Sequence, residues 1–325
     1  MTSDRMQGFI GQDAAWIEWA GAILSDRMHH AWLLSGPKGL GKRAFAIAAA
    51  AELVAHGSGP RPAPEVDPDI HIISHQPKND DEAKKMADGK PFETKRNLTV
   101  DQIRQMQRRL TTRPTLGDKR AIVIDPADDM ETSAVNALLK SLEEPPVGTY
   151  FLLVTHQPGR LLPTIRSRCR ILRFAPMQPD QIEALLVRDM PQADADLRAA
   201  AVAAAQGSPG VALSFVEHRL AVLHDLMIQI LREGDQSFAL RGALAKEMGT
   251  RPTRGKQAAA LELARATLAA ELAEASREGQ LRIIEAHGKL TRLSAQMPVY
   301  NFDPGLLVME IGGLLASAAI PRQAA

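Results

Sequence analysis

The sequence feature that most constrains the fold is a glycine-rich loop at residues 36–43, which reads GPKGLGKR. An apolar stretch at 31–35 precedes it and an alanine-rich stretch at 43–56 follows it, which predicts a strand, a loop and a helix. In that setting G-x-x-x-x-G-K is typical of a phosphate-binding loop, whose backbone N–H groups and helix N-terminus surround a phosphate. Lys42 would reach the outer phosphates. The next position normally holds Ser or Thr, whose hydroxyl binds Mg²⁺, and Arg43 stands there instead.

A second feature is the segment 119–124, whose last four residues are apolar and which is followed by Asp125. Such runs are typical of central parallel strands, and ligands of open α/β sheets lie at the carboxyl ends of these strands. Asp125 is therefore a candidate to hold Mg²⁺ through water beside the phosphate loop. An ATP-hydrolysing protein of this kind usually carries Glu next, but residue 126 is Pro126. Asp128 and Asp129 lie too far along the chain to be assumed substitutes.

Strand and helix patterns alternate up to about residue 174. Further apolar strand patterns occur at 69–73, 150–155 and 171–174, and a helix closed by a double proline is predicted over 133–144. The alternation predicts an α/β fold with a parallel, doubly wound sheet.

After residue 176 only helical patterns follow. They occur at 181–187, 197–205, 220–231, 238–248, 257–275, 281–293 and 306–316. The predicted domains are an α/β nucleotide-binding-like domain over 1–174, a small helical domain over 175–216 and a larger helical domain over 217–325. The Ala/Leu/Glu-rich part of the run at 257–275 is under three heptads long, so packing inside a helical domain is expected rather than a coiled coil.

Composition restricts the function. The net charge of +1 predicts no strong attraction of the whole chain to nucleic acid, so any DNA contact is expected to be local or supplied by partners. The single cysteine, Cys169, excludes a disulfide framework and a cysteine-based zinc site. His71 and His75 lie four apart on a predicted strand, where they do not converge as metal ligands. A signal pattern and a membrane-spanning apolar run are both missing, so a soluble, cytoplasmic protein is expected.

The segment 57–97 interrupts the pattern. Gly, Ser and Pro at 57–64 predict a linker, and the high charge of 76–96 predicts a mobile surface insertion. Thr99 and Gln102 have capping-box spacing at the start of the next helix. The arginines of that helix and its end have two interpretations, a solvated face and a contact with a subunit or with DNA phosphates: Arg104, Arg108, Arg109 and Arg113.

Two segments carry a resemblance to a known family: 136–146 reads NALLKSLEEPP and 167–169 reads SRC. With the matches that follow, they resemble the clamp-loader subunits of bacterial DNA polymerase III, which belong to the AAA+ class. The further matches are the phosphate loop, 11–12, 99–103, 161–169, 207–210 and 301–304. Their order and spacing cover most of the chain. The resemblance implies a P-loop AAA+ module, a small helical lid and an all-α collar that assembles a ring.

The departures indicate which kind of subunit the chain resembles. The family's motor subunits, gamma and tau, carry a complete phosphate loop, an acid pair after the Asp125 strand, a lid arginine and four zinc-binding cysteines. Here Arg43, Pro126 and Gly210 stand at the first three positions, and 57–97 has no cysteine. The pattern resembles the delta-prime subunits, the stationary, non-hydrolysing members of the ring.

The resemblance also implies one catalytic residue, Arg168. It matches the family's arginine finger, a permanently charged guanidinium supplied in trans to ATP on a neighbouring subunit. The alternative is that Arg166, Arg168 and Arg170 are surface arginines in weak ion pairs. Thr155 matches the strand-end residue that senses the γ-phosphate and is expected to be a structural remnant. The predicted degenerate nucleotide site comprises Gly36, Lys38, Gly39, Gly41, Lys42, Arg43, Asp125 and Thr155.

The function implied is a stator that helps to load the sliding clamp on primed DNA during replication, in a ring with gamma/tau and delta subunits. No independent catalysis, required cofactor, zinc or membrane partner is expected. Whether the loop binds ATP or ADP stays open, because Lys42 favours binding whereas Arg43 favours weak or Mg²⁺-independent binding, or a blocked site.

Two enzymatic alternatives are weaker. An active clamp-loader ATPase is supported by the intact Gly36, Gly41, Lys42 and Asp125. The losses at 43, 126 and 210 oppose it. A small-molecule P-loop kinase explains neither the helical third of the chain nor the SRC segment.

Overall fold

The computed structural model describes residues 10–25, 28–56, 61–90, 92–297 and 302–319. Of the predicted segments, 57–60 of the linker and residue 301 of the last matching segment lie outside these residues. The chain divides into two compact units, Met1–Ala175 and Pro176–Ala325. The predicted collar and all of the predicted lid except residue 175 fall within the second unit.

The first unit contains a five-stranded sheet in the described residues. Its strands are β1 (Ala31–Ser35), β2 (Ile70–Ile73), β3 (Arg120–Ile124), β4 (Thr149–Thr155) and β5 (Arg170–Arg173). All neighbouring pairs are parallel, in the order β2-β3-β4-β1-β5. The predicted parallel α/β sheet is confirmed, and β1, which leads into the glycine-rich loop, lies inside it.

Helices cover both faces of the sheet because strand side chains alternate between them. The helices are α1 (Asp13–Leu24), α2 (Lys42–Ala55), α3 (Asp80–Ala87), α4 (Val100–Leu110), α5 (Thr132–Glu143) and α6 (Pro163–Arg166). Trp32 and Leu34 of β1 belong to the core shared with α1 and α2. Ala31 and Leu33 belong to the core shared with α4 and α5. At the start of α4, the Gln102 side chain accepts the Thr99 N–H at 2.9 Å, as the capping pattern predicts.

The chain's three tryptophans lie together in the first of these cores. Trp19 meets Trp32 edge to face, with ring centroids 5.3 Å apart. Trp16 lies 4.2 Å from the ring of Phe45 on α2. The indole rings therefore pack α1 against the sheet and against α2, the helix that follows the loop.

The insertion at 76–96 contains a helix, α3, that the sequence analysis did not predict. Most residues of α3 are exposed, as predicted for a surface insertion, and polar contacts rather than apolar anchors hold the helix. Asn79 caps α3 by accepting the Glu82 N–H at 2.9 Å. Glu82 in turn accepts the Glu93 N–H at 2.6 Å and the Lys85 ammonium at 2.7 Å.

A buried ionic cluster holds the strand that precedes this insertion. Arg61 donates to Asp67 at 2.9 and 3.0 Å and to Asp69 at 3.0 Å, and all three side chains are at most 2% exposed. Asp69 also accepts the N–H groups of Thr115 and Leu116 at 2.5 and 2.8 Å. The cluster connects the start of β2 to the turn before β3.

The second unit is helical throughout its described residues. Its helices are α7 (Pro179–Asp189), α8 (Ala195–Ala205), α9 (Pro209–Glu217), α10 (Ala221–Glu233), α11 (Ala239–Met248), α12 (Arg254–Glu271), α13 (Arg277–Gln296) and α14 (Pro304–Ala318). The α8 helix ends before residues 207–210, and α9, which is not among the predicted helices, begins within them. Ser208 caps α9 and Pro209 occupies its first position, both common at helix starts. The α12 helix packs against α13, α10 and α9, as expected for a helix inside a domain.

Among the described residues, no helix combines the length and the apolar character that a membrane span requires.

Candidate functional site: a degenerate phosphate loop and an opposed arginine

The glycine-rich loop leaves the carboxyl end of β1 and runs into α2. At Gly36 an added Cβ would lie 2.6 Å from the carbonyl oxygen of Phe174, so only glycine fits between the loop and the end of β5. Gly41 is the N-cap residue of α2 at φ +78°, a left-handed conformation that favours glycine, and it supplies no side-chain cap. Gly39, at φ +86°, follows the exposed Lys38. The loop therefore has the backbone form of a phosphate-binding loop.

Lys42 is folded into this loop. Its side chain is buried, and Nζ donates to the carbonyl oxygens of Gly36 at 2.6 Å and Pro37 at 2.5 Å. Burial lowers the pKa of Lys42 to about 8, against the opposing effect of the Asp128 and Asp125 carboxylates. An incoming phosphate would replace the carbonyl oxygens as the partner of this ammonium.

Arg43 binds the carboxylate that the sequence analysis assigned to Mg²⁺. Asp125 continues the alternation of β3 in which Val123 faces the core shared with α2, so it emerges on the same side as the first turn of that helix. Arg43 Nη1 lies 2.8 Å from Asp125 Oδ2. The structure thus brings the two residues together as an ion pair.

Thr155, at the end of β4, donates its hydroxyl to Asp128. Asp128 lies on a 3-10 turn, Ala127–Asp129, and also accepts the N–H groups of His156 at 2.5 Å and Gln157 at 3.4 Å. Sequence reasoning set Asp128 aside as too far along the chain, but the turn folds it back to the end of β4. The sequence signal for this contact is the acidic pair Asp128–Asp129, which follows β3 after three residues, and β3 lies next to β4.

The loop fits a phosphate group but the side chains around it do not fit Mg²⁺. Glycine conformations, an uncapped helix N-terminus and Lys42 suit an anion. Mg²⁺ requires oxygen ligands, and Arg43 offers only N–H donors while it binds Asp125. Within the described ranges, no three His, Cys, Asp or Glu side chains converge as metal ligands. Gly210, at the position of the lid arginine, lies in the first turn of α9.

Arg168 lies near the amino ends of the strands, whereas the glycine-rich loop lies at their carboxyl ends. Arg168 precedes β5, whose Arg170 pairs with Trp32, whereas the loop starts four residues beyond Trp32. At about 3.3 Å per residue that places the start of β5 about 13 Å from the loop along β1. Sequence reasoning missed the partner of Arg168: Nη2 lies 2.6 Å from Glu143 Oε1, and Nη1 donates to Thr164 O at 2.9 Å. Glu143 lies in the segment that precedes β4, and Arg168 lies in the segment that precedes β5. Because the strands are parallel, both segments lie at the amino ends of the strands, where the two side chains meet.

The neighbours of Arg168 have other environments. Arg170 pairs with Glu18 at 2.8 Å and lies over the Trp32 ring at 4.9 Å, which fits the surface-arginine interpretation for this residue. Arg166 is exposed. Burial raises the pKa of the Cys169 thiol to about 12, so it stays protonated and packs rather than reacts.

The fold and the loop are those that the resemblance to P-loop AAA+ proteins implies, with a parallel sheet and a helical unit. Residues 11–178, slightly more than half of the chain, match the family model described as DNA polymerase III, delta subunit. The chain belongs to this family, and the predicted resemblance to delta-prime subunits is confirmed by the relatives that follow.

The chain is 34% identical over 215 residues to DNA polymerase III subunit delta' of Pseudomonas aeruginosa, a match that covers 61% of this chain and 58% of the relative. It is 38% identical over 127 residues to the Escherichia coli subunit delta', covering 39% and 38%. Against subunit gamma/tau of Mycobacterium tuberculosis it is 29% identical over 228 residues, covering 69% and 38%. The chain therefore spans at most 58% of these relatives.

A RuvB mutant structure from Thermotoga maritima shares the fold, with a TM-score of 0.50 at 17% identity, over 94% of this chain and 90% of that one.

Proposed function

We propose that the chain is a non-hydrolysing subunit of the DNA polymerase III clamp loader, which supplies Arg168 in trans to ATP on a neighbouring subunit. Its partners are gamma/tau and delta subunits in a hetero-oligomeric ring. Through that ring it helps to load the sliding clamp on primed DNA in the cytoplasm. Family membership and the similarity to delta' and gamma/tau subunits support this assignment.

The observation that carries the proposal is the separation of the two halves of an ATPase site within one chain. The phosphate loop follows the carboxyl end of β1, and Arg168 precedes the amino end of β5. This separation supports action of Arg168 on another subunit's nucleotide rather than on one in its own loop. Its side chain is 34% exposed, so its guanidinium is accessible to a partner.

The chain's own loop lacks the parts that hydrolysis needs. Asp125 is bound by Arg43, and Pro126 follows it where a water-orienting glutamate would stand. These features support a subunit that lends an arginine without turning over ATP itself.

The test uses the complete complex, reconstituted from this chain with gamma/tau and delta subunits, the sliding clamp and primed DNA. Arg168→Ala is expected to slow phosphate release at the one site that neighbours this chain by 10³-fold or more, so the burst of phosphate per complex falls by one site. Pre-steady-state phosphate release measures it. Arg166→Ala, an exposed arginine two residues away, is the matched control.

Equal bursts for the Arg168 and Arg166 variants, with both complexes assembled on gel filtration, would overturn the proposal. In that case the complex hydrolyses ATP at the site beside this chain without Arg168, and another residue must supply the arginine finger there.

A further inference from the structure

Two positions hold a divalent cation in complete P-loops. One is the Ser or Thr after the loop lysine, and the other is the acidic residue after the third strand. Here they are Arg43 and Asp125, whose side-chain atoms lie 2.8 Å apart. The Arg43 guanidinium therefore already neutralises the Asp125 carboxylate, which would otherwise bind a metal ion.

Asp128, the second carboxylate near the loop, also has protein partners. Asp128 accepts the Thr155 hydroxyl on one oxygen and the N–H of His156 on the other, so both oxygens already have a protein donor. A second cation beside the Arg43 guanidinium would also be repelled. Mg²⁺ would have to displace Arg43 from Asp125 and would gain no protein hydroxyl in return.

The positive groups around the loop suit a phosphate chain. Arg43 uses one nitrogen on Asp125, and its half-exposed guanidinium has further N–H donors in a planar fork that matches phosphate oxygens. Lys42 and the N-terminus of α2 supply two more positive groups. Charge neutralisation that a complete P-loop obtains from Mg²⁺ is available here from side chains.

We propose that Arg43 takes the place of the divalent cation, and that this loop binds the phosphate chain of a nucleoside di- or triphosphate in its metal-free form. The inference deepens the proposed function by assigning a ligand state to the chain's own loop. It rests on the phosphate loop and not on Arg168, so either proposal can fail without the other.

The experiment is calorimetric titration of the full chain with ADP and with ATP, once in excess EDTA and once in excess MgCl₂. The wild-type chain is expected to bind each nucleotide at least fivefold more tightly in EDTA, because Mg²⁺ masks the phosphate charges that Arg43 recognises. Arg43→Thr restores a hydroxyl and frees Asp125, so its preference should reverse, with Mg²⁺ tightening binding about tenfold. Arg104→Thr, at an exposed arginine of α4, should behave as the wild type.

Tighter wild-type binding in MgCl₂, or no binding in either buffer by a chain with native circular dichroism, would overturn the inference. So would an Arg43→Thr variant with the metal response of the wild type. If Arg43→Thr does not fold, the wild-type comparison between EDTA and MgCl₂ decides alone.

Discussion

At the scale of single residues, the ion pair between Arg168 and Glu143 sets the resting position of the proposed finger. The pair is partly solvated, with side chains 34% and 49% exposed, so it contributes at most about 1 kcal/mol. Under the proposed function, Glu143 competes with a neighbour's phosphates for the same guanidinium. It is therefore a positioning residue whose removal changes how readily Arg168 is released.

Glu143→Gln is expected to lower the KM for ATP of the reconstituted complex about two- to fivefold and to leave its kcat little changed. The physical reason is that a contact worth up to about 1 kcal/mol no longer holds Arg168 back. Steady-state ATPase assays over a range of ATP concentrations measure it. Glu144→Gln, the exposed acidic neighbour, serves as control. An unchanged or raised KM would contradict the prediction.

Sequence reasoning identified the unusual residues at this scale but not their contacts. Arg43 and Asp125 could be singled out because a loop motif and a strand end each fix a position on the sheet. Their ion pair could not be predicted, because a long arginine side chain has several rotamers that only the packed site selects. Asp128 was missed for a related reason: a 3-10 turn shortens the path back to Thr155.

At the scale of elements, apolar periodicity predicted the strands well and polar helices poorly. All five strands lie within one or two residues of the predicted runs. The buried strands β1, β3 and β4 read as nearly continuous apolar segments, whereas β5 is exposed at three of its four residues. Helix α3 was missed since its order depends on Asn79 and Glu82 rather than on an apolar face. Helix α9 was missed since its starting Gly-Ser-Pro-Gly resembles a turn.

The buried cluster around β2 gives a prediction at this scale. Arg61→Met is expected to reduce the free energy of unfolding by about 3–5 kcal/mol, because it leaves Asp67 and Asp69 buried without their counter-charge. Lys90→Met breaks the exposed pair with Asp88 in the same insertion and should cost less than about 1 kcal/mol. Urea unfolding followed by circular dichroism measures both. Equal losses for the two variants would argue against the cluster as the anchor of β2.

At the scale of the whole molecule, a nearly neutral net charge leaves individual buried groups to set the response to pH. His71 on β2 is the clearest case. Its Nδ1 lies 3.2 Å from Arg109 Nη1, and its Nε2 is buried. Burial, with the charges of Arg109 and Arg120, lowers the pKa of His71 to about 4.

Stability is therefore expected to fall as the pH drops from about 6.5 towards 4. In that window the unfolded chain protonates His71 and the folded chain does not, so the free energy of unfolding rises with pH. A single such proton contributes a slope of up to about 1.4 kcal/mol per pH unit. His71→Gln should lose that part of the slope, as measured by urea unfolding at several pH values between 4 and 7.5. Parallel slopes for the two proteins would refute the role of His71.

The clustering of all three tryptophans has an optical consequence. Trp16, Trp19 and Trp32 lie in Met1–Ala175, and the sequence holds no others. Indole emission, its quenching by solutes and energy transfer from it follow the sheet-containing unit alone. The helical unit, Pro176–Ala325, has no tryptophan in its sequence and gives no indole emission. A single tryptophan introduced there, with the three native ones replaced, would report on the helical unit, as the native ones report on the sheet-containing unit.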